Sequence, residues 1–134
     1  MRDRPARSSW ALPAGITAAI LLGSLVPVPG ERAVLPVVPP EIDAWVHLAG
    51  YAALAATLSR AFVAGGHRLP TAVALAAVAA VSFGVAVELL QTAVPTRGFA
   101  WGDVGANAIG SALGGLGWRR SRRDFTSREG TPNR

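Results

Sequence analysis

The sequence predicts an all-α integral membrane protein of four transmembrane helices with both termini in the cytoplasm. Three observations carry this. The 134 residues are 51% hydrophobic and only 16% charged, too few charges to cover a soluble domain of this size. The apolar residues gather into four mostly uncharged stretches of roughly 20 residues, the length that crosses a ~30 Å hydrocarbon core as a helix. The arginines collect on alternate connections, as orientation in a membrane requires.

The first stretch runs from Trp10 to about Pro29, preceded by a short basic segment over residues 1–9. A basic start before an apolar run also fits a signal peptide, but Val26-Pro27-Val28-Pro29-Gly30-Glu31 offers no small-x-small cleavage site, so the helix is expected to stay. The second stretch runs from Ala44 to Ala64 and the third from Thr71 to Val94, where Glu88 is the sole ionisable residue. The fourth, from about Phe99 to Trp118, is built mostly from Gly, Ala, Leu, Ile and Val, with Asp103 near its start and Asn107 inside. Soluble helices carry a charged face opposite one apolar stripe, which these runs lack. The membrane domain therefore covers 10–118, and the arginine-rich tail, 119–134, is expected to be disordered.

The charge of +5 comes with thirteen basic residues, all arginine. Arg2, Arg4, Arg7, Arg60, Arg68, Arg119, Arg120, Arg122, Arg123, Arg128 and Arg134 fall on the side of the termini, and only Arg32 and Arg97 on the other. The positive-inside rule puts the termini in the cytoplasm. Trp10, Trp45, Trp101 and Trp118 stand near span ends, where aromatic belts form. The tail thus reads as a topology and lipid-headgroup signal rather than a nucleic-acid site.

With no cysteine, thiol nucleophiles, disulfides and thiolate metal sites are excluded. His47 and His67 are the only histidines and no HExxH spacing occurs, so neither a metal site nor a cofactor is expected. His67, in Gly65-Gly66-His67-Arg68-Leu69-Pro70, reads as a solvated turn residue.

The few polar residues inside the helices share faces. Asp43, His47 and Tyr51 recur every four residues; Glu88 and Gln91 are three apart; Asp103 and Asn107 are four apart, with Gly110 and Gly114 continuing the stripe. At 1.5 Å per residue, His47 lies about 6 Å and Tyr51 about 12 Å below the outer end of the second helix, and Asn107 about 6 Å below that of the fourth. On the third helix, Glu88 lies about 9 Å and Gln91 about 4–5 Å below the same surface. With Arg97 in the outer loop, eight polar groups reach one depth band of the outer leaflet. A polar clasp fixing helix register explains two or three such groups; eight predict a pocket that binds something polar. Gly110 and Gly114 have the small-xxx-small spacing of a close helix contact.

Taken jointly, Asp43-x3-His47-x3-Tyr51, Glu88-Leu89-Leu90-Gln91 and Pro95-x-Arg97-x-Phe99-x3-Asp103-x3-Asn107-x2-Gly110 resemble the VanZ-like family of small bacterial membrane proteins. The resemblance spans residues 43 to about 117. It implies a multi-pass protein of the bacterial cytoplasmic (inner) membrane, acting in the cell envelope, where some relatives raise resistance to teicoplanin-type glycopeptides. It does not settle an activity. Family members often carry a lysine after the first aspartate; here that position is Ala44, so no role for that lysine carries over.

The leading expectation is that the outward pocket binds a lipid headgroup or lipid-linked envelope precursor, with Arg97 meeting phosphate or carboxylate. Membrane lipids are then the partners, and nucleic acid is not. A second reading is an enzyme in which Glu88 and His47 do acid–base chemistry on such a lipid, although no nucleophile accompanies them. A third is a structural or transport subunit, working as a homo-oligomer or with another membrane protein.

Overall fold

The computed structural model describes residues 5–25, 40–95 and 98–129, all of them in helices or the turns between helices. Four helices follow in order: α1 (Pro5–Leu25), α2 (Pro40–Ala64), α3 (Leu69–Gln91) and α4 (Trp101–Glu129). Among the described residues there is no strand. Two of the four, α2 over Ala44–Ala64 and α3, are long and apolar enough to cross a membrane.

The turn between α2 and α3 shows how sequence terminates a helix. Gly66 takes φ +94°, a conformation open to glycine at little steric cost. Its N–H donates to the Val63 carbonyl at 3.0 Å and that of His67 to Phe62 at 3.1 Å, the paired bonds of a Schellman cap. Pro70 then occupies the first turn of α3, where no N–H is needed. Nearer the other end of the fold, α3 stops at Gln91 rather than Val94. Thr92, Ala93 and Val94 donate to carbonyls three residues back, a tightened last turn before Pro95, which disfavours helix at the residue preceding it.

At the C-terminus the expectation of disorder from residue 119 is corrected: α4 continues through Glu129. Arginine is a good helix former, and Arg120 and Asp124 are spaced four apart, the separation at which opposite charges support a helix. The Arg122 guanidinium lies 5.8 Å from the Trp118 ring, a cation–π contact along the same helix.

Packing is inverted relative to a water-soluble bundle. The buried positions of α3 are Ala72, Ala76, Ala80, Gly84, Val87, Glu88 and Gln91, small or polar, while Leu75, Val78, Leu89 and Leu90 face outward. Elsewhere Ser59, Asn107 and Ser111 are buried and Leu113, Ile109 and Trp101 exposed. Small residues inside let backbones approach, and large apolar residues outside suit a hydrocarbon solvent. The Ser59 and Ser111 hydroxyls donate to the carbonyls of Ala55 and Asn107 at 2.7 Å each, so neither is left unsatisfied.

The helices alternate in direction, and among the described residues α2 touches all three others while α1 does not touch α4. The closest approach joins α2 to α4, which run parallel. A Cβ added at Gly110 would fall on the Leu48 carbonyl oxygen, and one at Gly114 on that of Ala52. Here, as the spacing predicts, glycine is required because backbone meets backbone. α3 runs antiparallel against both, with Gly84 facing Tyr51 and Asn107 and Val73 facing Gly115. α1 leans on α2, with Ile16 and Ile20 packed on the core of Tyr51, Leu54, Ala55 and Ala80 and Trp10 edge-on to Phe62 at 5.3 Å.

Overpacking a close contact typically costs about 1–3 kcal/mol. We expect Gly114→Val and Gly110→Val to lower the thermal midpoint of the detergent-solubilised protein markedly, with Gly117→Ala as the tolerated control because nothing lies within 4 Å of its added Cβ. Equal midpoints for Gly114→Val and Gly117→Ala, read by circular dichroism melts, would remove the α2–α4 contact as a stabilising element.

Candidate functional site

The register set by the α2–α4 contact places His47 of α2 beside the first turns of α4. Its Nδ1 lies 3.1 Å from Asn107 Oδ1. Since a carbonyl oxygen only accepts, Nδ1 carries the proton in this bond. Tyr51, one turn further along α2, stacks nearly parallel to the His47 ring with centroids 6.4 Å apart and contacts Phe83 on its other side.

From α3, Glu88 enters at the N-terminal end of α4. It is fully buried, at 0% exposure, and its Oε2 accepts the Ala100 backbone N–H at 3.1 Å. The Ala100 carbonyl accepts from Asp103 and Val104, so Ala100 is the N-cap of α4. A capping box would satisfy its N–H from the side chain three residues on; here a carboxylate from a different helix does so. Asp103 stands at that third position, also at the positive end of the helix dipole. Asp103 is half-buried, and one ligand-capable atom from each of His47, Glu88 and Asp103 lies within 4.8 Å of the other two.

Of the eight groups expected in the band, five meet here: His47, Tyr51, Glu88, Asp103 and Asn107. Gln91 is buried but turns away, its Nε2 donating to the Ser24 carbonyl of α1 at 3.2 Å. It ties α3 to α1 rather than joining the cluster. Arg97 and the side chain of Asp43 lie outside the described residues. His67 is exposed in the α2–α3 turn, with Nδ1 3.2 Å from the Phe62 carbonyl oxygen. Gly110 and Gly114 form the α2 contact already described.

Two participants were not singled out in the sequence. A Cβ at Gly84 would stand 2.9 Å from Asn107 Nδ2 and 3.0 Å from the Tyr51 ring, so its absence seats both side chains. The signal was present: Ala72, Ala76, Ala80, Gly84 and Glu88 repeat every four residues on α3. The Ala100 N–H carries no residue-type signal at all.

Two polar atoms of the cluster, the Tyr51 hydroxyl and Asn107 Nδ2, are buried without a hydrogen-bond partner among the described residues. Both residues are 1% exposed. Beside them lies an apolar cleft of about 430 Å³ between α1 and α2, lined by Ile16, Ile20, Gly23, Val46 and Gly50 and reaching His47 and Tyr51.

No protein-family model, curated protein or solved structure matches the chain. The functional reading therefore rests on the residues themselves.

Interhelical hydrogen bonds in membranes contribute about 0.6 kcal/mol on average, with a maximum near 1.7. Replacing Asn107 by Leu removes the α2–α4 side-chain bond and overfills the Gly84 seat, and should destabilise by more than Gln91→Leu, which removes one bond to α1. SDS titration of the folded protein gives the order; Gln91→Leu as the more damaging change would mean that the cluster is not the structural centre.

Proposed function

We propose that the chain is a multi-pass protein of the bacterial cytoplasmic membrane that binds an amphiphilic component of the cell envelope, holding its polar head at the His47, Glu88, Asp103 and Asn107 cluster and its hydrocarbon chain in the α1–α2 cleft. The observation that carries this reading is the continuity of the two surfaces. The apolar cleft ends at His47 and Tyr51, and these same residues begin the polar cluster. An amphiphile is the chemistry that fits both.

Several features support the membrane setting. α2 and α3 are long and apolar enough to span, large apolar side chains face outward, and the arginines alternate as four spans with cytoplasmic termini require. Trp45 and Trp101, at the starts of the parallel helices α2 and α4, are 65% and 79% exposed, as interfacial tryptophans would be. The resemblance to the VanZ-like family supplies the envelope context. On this reading the protein modulates the availability of a lipid or lipid-linked precursor and, with it, susceptibility to teicoplanin-type glycopeptides.

Gly23 offers a clean test of the cleft, since nothing lies within 4 Å of its added Cβ. Gly23→Leu should fold normally, because leucine is the better helix former, while filling the cleft. Mass spectrometry of lipid co-purifying with the full chain should show a species retained by the wild type and lost in Gly23→Leu. Identical lipid profiles for the two proteins would sink the proposal.

Topology is tested separately. The chain has no cysteine, so single cysteines at Ser9, Gly66 and Gly98 can be labelled without background. A membrane-impermeant maleimide added to intact spheroplasts should reach Gly98→Cys and not the other two. Labelling at Ser9→Cys would overturn the cytoplasmic placement of the termini.

A further inference from the structure

We infer that the end of the bundle away from the polar cluster holds a second lipid site, one for the anionic headgroup of a phospholipid, built by Arg60, Arg68, Arg119 and Arg120. It reaches beyond the basic tail, since Arg60 comes from α2 and Arg68 from the α2–α3 turn. The inference rests on the membrane setting proposed above and not on what occupies the α1–α2 cleft.

Helix register brings these arginines to one end. A Cβ added at Gly115 would stand 3.0 Å from Val73 Cγ1 and 4.0 Å from Ser59 Oγ, so α2, α3 and α4 meet at that level. Arg119 follows four residues later on the same face of α4, about 6 Å nearer the end of the bundle. On antiparallel α3 the same step leads from Val73 back to Leu69, beside Arg68, and on parallel α2 Arg60 directly follows Ser59. The four residues therefore fall within about 6 Å of one another along the bundle axis.

This end is left cationic. Arg119 is half-buried, and its Nε is buried without a hydrogen-bond partner among the described residues. Arg60, Arg68 and Arg120 are exposed, and Arg68, the N-cap of α3, makes no side-chain cap bond. A purely structural use for the set would be to cap the end of α2, where cations are favoured. The Ala61, Phe62 and Val63 carbonyls there already accept from the N–H groups of Gly65, His67 and Gly66. Among the described side chains Asp124 is the one acid at this end, exposed and four residues beyond Arg120, and one acid does not balance four arginines. Arg122 and Arg123 are otherwise engaged and are not part of the set.

Depth selects the partner. Trp118, next to Arg119, and Trp10, edge-on to Phe62 at 5.3 Å, put this end at headgroup level on the membrane reading. Guanidinium is a planar donor that is permanently charged and matches phosphate oxygens in shape. Phospholipid headgroups are the phosphates concentrated at that depth. A zwitterionic headgroup brings a cation of its own that the arginines repel, so the site favours a headgroup with net negative charge.

The test uses the full chain in neutral detergent, titrated with phosphatidylglycerol or with phosphatidylcholine of the same acyl chains, and read by thermal midpoint and native mass spectrometry. Phosphatidylglycerol should raise the midpoint and stay bound, and phosphatidylcholine should do neither. Arg119→Gln and Arg68→Gln should each weaken phosphatidylglycerol binding about fivefold, with Ser121→Gln, at an exposed neighbouring position, unchanged. Since the Arg119 Nε has no partner among the described residues to lose, Arg119→Gln should keep the wild-type midpoint when lipid is absent. Should it unfold instead, the double variant Arg60→Gln with Arg120→Gln, both at exposed positions, carries the same expectation. Gly23→Leu should still bind phosphatidylglycerol at this end, which separates the site from the cleft. Equal binding of the two lipids, or equal affinity in the wild type and the arginine variants, overturns the proposal. So does a midpoint rise as large with inorganic phosphate, or a tighter hold on short single-stranded RNA. A chain that fails to insert into lipid nanodiscs overturns the membrane setting and this site with it; one that inserts without preferring phosphatidylglycerol overturns this site alone.

Discussion

The contact of α4 with α2 through Gly110 and Gly114 is the constraint on which the site depends. In an up-and-down arrangement, helices that run parallel usually sit across a diagonal and are kept apart by the side chains between them. Here the α4 glycines rest on the Leu48 and Ala52 carbonyls, and the diagonal closes. The register of that contact carries the N-terminal turns of α4 alongside the N-terminal half of α2. His47 consequently meets Asn107, with Asp103 one turn above it. α3 fits against the pair only because Gly84 leaves room for Tyr51 and Asn107, and this brings Glu88 up to Ala100.

Polarity and depth made much of this legible. Counting 1.5 Å per residue from the span ends placed His47, Glu88, Asp103 and Asn107 at similar depth, and four-residue spacing put each on the same face as its neighbours. What periodicity cannot supply is the rotation of one helix about its axis relative to another. Gln91 lies on roughly the same face as Glu88, yet its amide turns to α1 and ends at the Ser24 carbonyl. The two carboxylates and the imidazole were each visible, but their convergence needs three helix rotations at once, so a local ligand motif could not reveal it. The helical tail was missed for another reason: composition suggested disorder, whereas arginine propensity and the spacing of Asp124 from its neighbouring arginines sustain α4 to Glu129.

Inverted packing also sets the energetics of the cluster. With small residues inside and leucines, valines and tryptophans outside, the interior has little water to screen charge. A carboxylate at such a place is costly unless dipoles or hydrogen bonds hold it. Glu88 and Asp103 both sit at the N-terminus of α4, where exposed backbone N–H groups and the helix dipole favour negative charge. The fourth helix thus has two functions at once, a glycine face that sets register and an N-terminus beside which two acids are gathered.

A structural clasp and a binding site differ in how completely their polar atoms are satisfied. A clasp selected only for stability would pair its members with one another, because a buried donor left unpaired costs about 1–3 kcal/mol. In this cluster the Tyr51 hydroxyl and the Asn107 amide nitrogen are buried and lack a partner among the described residues, while Ser59, Ser111 and Gln91 elsewhere in the bundle are satisfied. Apart from Arg119 Nε near the far end of α4, the unspent donors among the described residues lie where carboxylates, imidazole and the apolar cleft meet. Donors at such a place are suited to an oxygen-bearing polar group, and the cleft beside them supplies the apolar surface that a lipid would need.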